Sequence, residues 1–144
     1  MGRMQRNKGA TYERDLANYL TAHGLPAKRG IGQARSASEV PDVDLAGFWI
    51  EAKRHKRTNP RAALAQAIEA SEGTARIPVA VCRDNGTHED DATVTMRLVD
   101  WLDVVAYYEG AHQRYIAERE RRRIKADAAR TNARPKRLTK EDSR

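Results

Sequence analysis

Apolar residues recur every three or four positions in two stretches of the chain, which predicts amphipathic helices over residues 10–23 and 60–72. The second helix has a clear start, because Pro60 suits the first helical position and the asparagine before it can cap the helix. Leu64 and Ile68, about one turn apart, are its expected packing residues. Each helix therefore needs a surface that covers its apolar side.

Shorter apolar or alternating runs predict strands before and after the second helix. The predicted strands lie around Ala27–Ile31, Asp42–Leu45, Phe48–Lys53, Ile77–Cys82 and Thr93–Leu98. Two more helices are predicted, one capped by Asp100 and running through Tyr108, the other from Ala111 to Arg130. This order of elements predicts an α/β fold with a small mixed central sheet flanked by helices, followed by a basic helical extension.

The segment from Asp42 to Lys53 reads as a tight β-hairpin with Ala46-Gly47 as a two-residue turn. The cross-strand pairs of that register are Leu45 with Phe48, Asp44 with Trp49, Val43 with Ile50, and Asp42 with Glu51. Side chains alternate between the two faces of a strand, so one face is charged and the other is apolar. The charged face carries Asp42, Asp44, Glu51 and Lys53, and the apolar face carries Val43, Leu45, Phe48 and Ile50.

Two facing carboxylates repel each other by about 3 kcal/mol at roughly 5 Å and an effective dielectric constant of ~20. A divalent cation between Asp42 and Glu51 would reverse the sign, and oxygen ligands suit Mg²⁺ or Mn²⁺. Lys53 on the same face would stabilise developing negative charge or orient an attacking water. A three-residue turn would shift the register and bring Asp44 closer to Glu51, so Asp44 is the alternative metal ligand to Asp42. A solvated polar face remains open as the simpler explanation.

The spacing of Pro41-Asp42 and Glu51-Ala52-Lys53 resembles the motif of the PD-(D/E)XK nuclease superfamily. A second segment, Lys8-Gly9-Ala10-Thr11-Tyr12-Glu13-Arg14, is similar to the KGxxxER signature in the first helix of archaeal-type Holliday junction resolvases and their phage-encoded relatives. The predicted order of helices and strands over about residues 6–105 also matches that family.

The resemblance implies a restriction-endonuclease-like fold and a Mg²⁺- or Mn²⁺-dependent endonuclease that hydrolyses DNA phosphodiester bonds, at four-way junctions above all. It implies that Asp42 and Glu51 hold the metal with help from Glu13 and the Ala52 carbonyl, and that Lys53 acts on the water or the transition state. Such enzymes make two paired cuts, so the resemblance also implies a homodimer.

The distribution of charge divides the chain into a nuclease-like domain, 1–110, and a basic extension, 111–144. The first part holds 15 Lys/Arg and 15 Asp/Glu, and the second holds 12 and 5, so the whole net charge of +7 lies in the extension. That asymmetry predicts nucleic acid or an anionic surface as the partner. The extension helix has few large apolar residues, namely Tyr115, Ile116 and Ile124, so we expect it to project or to lie on DNA, and we expect residues 131–144 to be disordered.

The expected DNA contacts are basic and hydroxyl side chains near the predicted site, together with arginines of the extension. They are Lys8, Arg14, Arg29, Arg35, Ser36, Arg54, His55, Lys56, Arg57, Arg119, Arg122 and Arg123. The resemblance also implies a polar residue of the second helix beside the catalytic lysine, for which Gln66 is the candidate, with an exposed glutamine as the alternative. The acidic run 89–91 is expected to be a solvated loop.

Several classes of function are disfavoured. The single Cys82 excludes an intramolecular disulfide and a cysteine-based zinc site, and we expect it to be buried. No apolar run is long enough to span a membrane, so we expect a cytoplasmic protein, in the host cytoplasm if phage-encoded, with no small-molecule substrate. Two alternatives stay open: another nuclease of the same superfamily, such as a flap, repair or restriction-like enzyme, and a non-catalytic basic DNA-binding protein.

Overall fold

The computed structural model of the chain describes residues 2–31 and 39–132. The elements in chain order are α1 (Gly2–Ala22), β1 (Lys28–Arg29), β2 (Val43–Leu45), β3 (Phe48–His55), α2 (Pro60–Ala70), β4 (Ile77–Asp84), a 3-10 turn (Glu89–Asp91), β5 (Thr93–Thr95) and α3 (Leu98–Asn132). The predicted α/β class is confirmed. The chain divides into two compact units, Met1–Trp101 and Leu102–Arg144. No helix in the described ranges is both long and apolar enough to cross a membrane.

The first unit is built on one five-stranded sheet with the strand order β1-β2-β3-β4-β5. The pairs β1–β2 and β2–β3 are antiparallel, the pair β3–β4 is parallel, and the pair β4–β5 is antiparallel. Parallel neighbours need a crossover connection, and α2 supplies it between β3 and β4. The sheet is therefore mixed, as predicted.

The two faces of the sheet are covered by different helices. The apolar side of α1 packs on one face in a cluster made of Tyr12, Leu16, Ala17, Ala27, Val43, Ile50, Ala52, Val79 and Val81. On the other face Ala63 of α2 packs against Ala80 and Cys82 of β4, and Cys82 is buried as expected. Side chains alternate along β3, so Glu51 and Lys53 project on the α2 face.

The packing of α2 differs from the prediction by one position along the helix. Its buried residues are Ala63 and Ala67, 3% and 0% exposed, whereas Leu64 and Ile68 are only partly buried. Small side chains let the helix backbone come close to the sheet, so the tight contact is made by alanines. Leu64 still packs against the edge of the cluster formed by Ala63, Ala80 and Cys82, as predicted.

The ends of the other helices also differ from the prediction. α1 begins at Gly2 rather than at residue 10, since nothing in its first turns breaks a helix. The two predicted helices of the last part of the chain form one continuous helix, α3, because a single glycine, Gly110, weakens a helix without ending it. β3 and β4 each extend two residues further than predicted.

Candidate active site at the open end of the β2–β3 hairpin

The hairpin has the predicted two-residue turn and register. Val43 pairs with Ile50, Asp44 with Trp49, and Leu45 with Phe48. Gly47 has φ +84°, a conformation in which only glycine is free of strain, and it lies in the turn. The longer turn that would bring Asp44 toward Glu51 is not formed.

Asp44 and Asp42 have different environments. The Asp44 side chain is 49% exposed, and its Oδ1 lies 2.7 Å from Nη1 of Arg76. Asp42 lies just before β2, and its Oδ2 accepts a hydrogen bond of 2.9 Å from the backbone amide of Ala52 in β3. The Asp42 side chain thus accepts a hydrogen bond from a β3 amide just beyond Val43 and Ile50, the last backbone pair of β2 and β3.

The backbone of Asp42 is fixed by close approach to the end of β1. The Gly30 amide donates a 2.9 Å hydrogen bond to the Asp42 carbonyl. A Cβ atom at residue 30 would lie 1.7 Å from the Pro41 carbonyl oxygen, a distance that no side chain can tolerate. Glycine at position 30 is therefore part of what holds Asp42 in place.

Burial raises the pKa of Asp42 to about 6, against the opposing effect of the Ala52 hydrogen bond. The negative charges of Glu51 and Glu13 raise it further, while Lys53 lowers it. The three other residues that the sequence singles out as catalytic are therefore close enough to Asp42 to act on its charge. Together with Asp42 they come from three places in the chain: α1, the segment before β2, and β3.

Glu51 and Lys53 form an ion pair on the α2 face of β3. Lys53 Nζ lies 2.6 Å from Glu51 Oε1, and the side chains are 31% and 15% exposed for Lys53 and Glu51. Burial by itself lowers the pKa of Lys53, but the hydrogen bond and charge of Glu51 outweigh burial, and the net pKa is raised. Lys53 is thus a cation at neutral pH.

Glu13 is held by a cation of its own. Arg29 Nε of β1 donates a 2.8 Å hydrogen bond to Glu13 Oε2, and the Glu13 side chain is 19% exposed. The sequence assigns Arg29 to DNA binding. In the structure its guanidinium pairs with the acid on α1, so Arg29 also orients Glu13.

The carboxylates of the site could serve as ligands of a divalent metal ion. Within residues 2–31 and 39–132, no three His, Cys, Asp or Glu side chains lie together as a ready-made metal site. Asp42 and Glu51 nevertheless offer the carboxylate oxygens that Mg²⁺ and Mn²⁺ prefer. A bound cation would favour the ionised form of Asp42, which burial disfavours, so these residues fit such an ion chemically.

A cavity of about 460 Å³ lies between β3 and α2 beside this cluster. It is lined by Glu39, Val40, Trp49, Glu51, Lys53, Gln66, Glu69 and Ala70. Gln66 is exposed, as in the simpler of the two expectations, and it also lines this cavity together with Lys53. Trp49, 4% exposed, was not predicted here, although its pairing with Asp44 already placed it on the charged face of the hairpin.

The predicted phosphate-binding run begins with the last two residues of β3 and continues beyond the strand. Arg54, His55, Lys56 and Arg57 are all exposed, and a second, open cavity of about 740 Å³ is lined by His55, Lys56, Arg57 and Asn59. The run is anchored at its end, because Asp84 Oδ1 accepts hydrogen bonds of 2.7 Å from both the amide and the hydroxyl of Thr58. These basic side chains therefore start from a fixed backbone.

The remaining predicted DNA contacts are spread over the chain. Arg14 is exposed on α1. Arg119, Arg122 and Arg123 are exposed on α3 in the second unit, where Arg122 pairs with Glu118 and Arg123 with Glu120. The Lys8 side chain, Arg35 and Ser36 lie outside what the structure describes.

A buried ion pair on the α1 face was not predicted. Arg83 Nη1 lies 2.7 Å from Glu89 Oε2, with side chains only 13% and 12% exposed, so the acidic run 89–91 is not a simple solvated loop. The Arg83 guanidinium also lies 5.3 Å from the centre of the Tyr12 ring, a cation–π distance. Burial raises the pKa of Tyr12, and the charge of Glu89 adds to the increase. No sequence pattern links these three distant positions.

Compared with known proteins, the chain matches no protein-family model and no curated sequence.

Proposed function

We propose that this chain is a metal-dependent endonuclease that hydrolyses phosphodiester bonds in DNA, acting at branched structures such as four-way junctions. The observation that supports it most is the position of Asp42. Its carboxylate is tied to the Ala52 amide and coupled in charge to Glu51, Glu13 and Lys53. An acid with a perturbed pKa, grouped with other carboxylates beside a lysine and a cavity, is typical of catalytic sites.

In this proposal Asp42 and Glu51 hold Mg²⁺ or Mn²⁺, with Glu13 and the Ala52 carbonyl as further donors. Such an ion, when bound, lowers the pKa of a coordinated water and neutralises charge on the phosphate. Lys53 is positively charged and partly exposed, so it can contact a phosphate oxygen or orient the attacking water. Arg29 pairs with the Glu13 carboxylate and so restricts its position.

Substrate binding falls to the basic residues around the site. Arg54 and His55 end β3 directly after Lys53, and Lys56 and Arg57 follow the strand, so these side chains are suited to bind phosphates on either side of the scissile bond. The excess charge of the extension adds non-specific attraction to DNA. Resolution of a junction needs two cuts, for which we propose a homodimer.

A non-catalytic DNA-binding protein is the second candidate. The observation in its favour is that Glu51 already pairs with Lys53 and Glu13 with Arg29, as acids do in a purely structural network of ion pairs. The two candidates differ in one measurable respect. If the site is catalytic, the chain cleaves DNA in the presence of Mg²⁺ and loses this cleavage when Glu51 is replaced. If the ion pairs are only structural, the chain binds DNA without cleaving it.

The decisive experiment is a cleavage gel with four-way, flap and linear DNA, with and without Mg²⁺. We expect Mg²⁺-dependent nicks in the junction, and we expect Glu51→Gln to slow them about a hundredfold, or roughly 3 kcal/mol, with junction binding retained in chelator. Glu69→Gln is the matched control, since Glu69 lines the same cavity. Unchanged cleavage by Glu51→Gln would overturn the assignment, and preferred cleavage of flap or linear DNA would indicate another kind of nuclease.

A further inference from the structure

The second unit has a stripe of large side chains along one side of α3. Its members recur three or four positions apart, which places them on the same side of the helix. We call this set the α3 stripe; its members are Leu102, Val105, Tyr108, His112, Tyr115 and Ile116. Leu102, Tyr108, Tyr115 and Ile116 are 52%, 64%, 64% and 43% exposed. Contiguous exposed apolar surface of this kind usually belongs to an interaction site.

The charges along α3 indicate what covers this stripe. Residues 102–110 carry two acids and no Lys or Arg; Glu109 borders the stripe, and Asp103 lies on the opposite side of the helix. Residues 111–130 carry seven basic and three acidic residues. Two antiparallel copies of the helix would place each acidic half beside a basic half, whereas a parallel pair would place the two basic halves side by side. Opposite charges across a helix pair favour one orientation in this way.

We propose that the chain pairs with a second copy of itself through the α3 stripe, with the two helices antiparallel. A two-fold pair uses the same surface on both copies, and a stripe with this charge pattern is complementary to itself. Tyrosines such as Tyr108 and Tyr115 are among the residues enriched in the cores of protein interfaces. The ring of Tyr108 also stacks on His112, with centroids 6.1 Å apart, which extends the flat surface.

DNA is a poorer occupant of the same surface. The six stripe residues include no Lys or Arg, the side chains that bind phosphates most strongly. The arginines of α3 begin at Arg114 and are concentrated at 119–123, toward the end of the stripe and beyond it. The inference concerns α3 alone, so it stands or falls separately from the nuclease activity.

The test is sedimentation equilibrium of the full chain without DNA, comparing two neighbouring tyrosines. Tyr108 belongs to the stripe, while Tyr107, 76% exposed, points about 100° away around the helix. We expect the wild type to dimerise, Tyr108→Asp to raise the dimer dissociation constant at least about tenfold, and Tyr107→Asp to leave it unchanged. Equal helical circular dichroism of the two variants shows that α3 is intact in both.

The orientation is tested by spin labels at Ala128→Cys, an exposed position outside the stripe. Cys82 is buried and therefore protected from the label. An antiparallel pair centred near His112 separates the two labels by about 48 Å along the axis, at about 1.5 Å per residue. A parallel pair would bring them within about 20 Å, because paired helix axes lie about 8–10 Å apart.

Four results would overturn all or part of the inference. A wild type that stays monomeric would do so, as would a Tyr108→Asp variant that dimerises like the wild type. A Tyr108→Asp variant that keeps the wild-type molar mass in sedimentation equilibrium but binds DNA more weakly would assign the stripe to DNA instead. Labels at residue 128 that lie close together would reject the antiparallel arrangement.

Discussion

The Asp42 carboxylate accepts a 2.9 Å hydrogen bond from the backbone amide of Ala52, the residue between Glu51 and Lys53. This bond fixes one acid of the candidate site to the strand that carries the other acid, Glu51, and Lys53. Asp44, two residues further along the chain, pairs with Arg76 instead. The two aspartates therefore form a natural pair of test and control positions.

We expect Asp42→Asn to reduce Mg²⁺-dependent cleavage of junction DNA about a hundredfold or more, because a metal-site carboxylate is replaced by a neutral amide. Asp44→Asn should stay within about threefold of the wild type, since it removes only a half-exposed ion pair. The measurement is single-turnover cleavage at saturating enzyme. If the two variants lose activity equally, Asp42 has no special role.

The free energy of unfolding should depend on pH in a way that reports the raised pKa of Asp42. Its pKa rises from 3.8 to about 6 on folding, so the folded chain binds more protons than the unfolded chain between these values. The free energy of unfolding should therefore fall as pH rises through this window, by up to about 3 kcal/mol. Urea titrations in chelator from pH 4 to 7 measure it.

Asp42→Asn is the control for that slope, because it removes this titration and leaves the histidines in place. The decrease in stability should flatten in this variant and persist in Asp44→Asn. An identical slope in Asp42→Asn and the wild type would show that Asp42 keeps an ordinary pKa.

A side chain at residue 30 should displace the Asp42 segment. Gly30→Ala brings a Cβ to 1.7 Å from the Pro41 carbonyl oxygen, so the backbone must move, at a cost of about 1–3 kcal/mol or more. Gly9→Ala is the control, since its Cβ would meet nothing nearer than 3.9 Å and alanine favours the helix. Thermal denaturation compares them, and a Gly30→Ala variant as stable as the wild type would contradict the close approach.

The buried pair of Arg83 and Glu89 should matter far more than an exposed pair. Glu89→Ala leaves the Arg83 charge uncompensated in a largely buried place, so we expect a loss of about 3 kcal/mol of unfolding free energy. Glu118→Ala breaks a pair with Arg122 whose side chains are 53% and 79% exposed, and should cost under about 1 kcal/mol. Similar losses from urea unfolding of both variants would mean that Arg83 finds another partner.

The basic run after β3 should contribute to DNA affinity through phosphate contacts. We expect Arg57→Ala to weaken junction binding and to reduce the slope of log affinity against log salt by about 1. Arg76→Ala removes an arginine that pairs with Asp44 and should leave the slope unchanged. Fluorescence anisotropy in chelator at several salt concentrations measures both slopes, and equal slopes would argue against this binding role.

Local patterns in the sequence accounted for most of the first unit. Alternation along Asp42–Lys53 and the Ala46-Gly47 turn were enough to predict the hairpin register, because a one-residue slip would expose the apolar face. The side of α2 that packs was predicted one position away, since apolar spacing cannot show how closely two backbones approach. The sequence pattern predicts two helices with a break between Tyr108 and Ala111, so it does not show the stripe as one surface. In the structure α3 is continuous across these positions.

The sequence by itself determined the order of the elements, the two faces of the hairpin and the set of acids proposed for the site. Only the tertiary structure decided that Glu13 pairs with Arg29, that Gly30 holds Asp42, and that Arg83 and Glu89 meet beneath Tyr12. The reason is physical. Periodicity and turn chemistry act between near neighbours, whereas these contacts join different elements: α1 with β1, the end of β1 with the segment before β2, and β4 with the 3-10 turn and α1. They form only when the sheet and the helix on it are assembled.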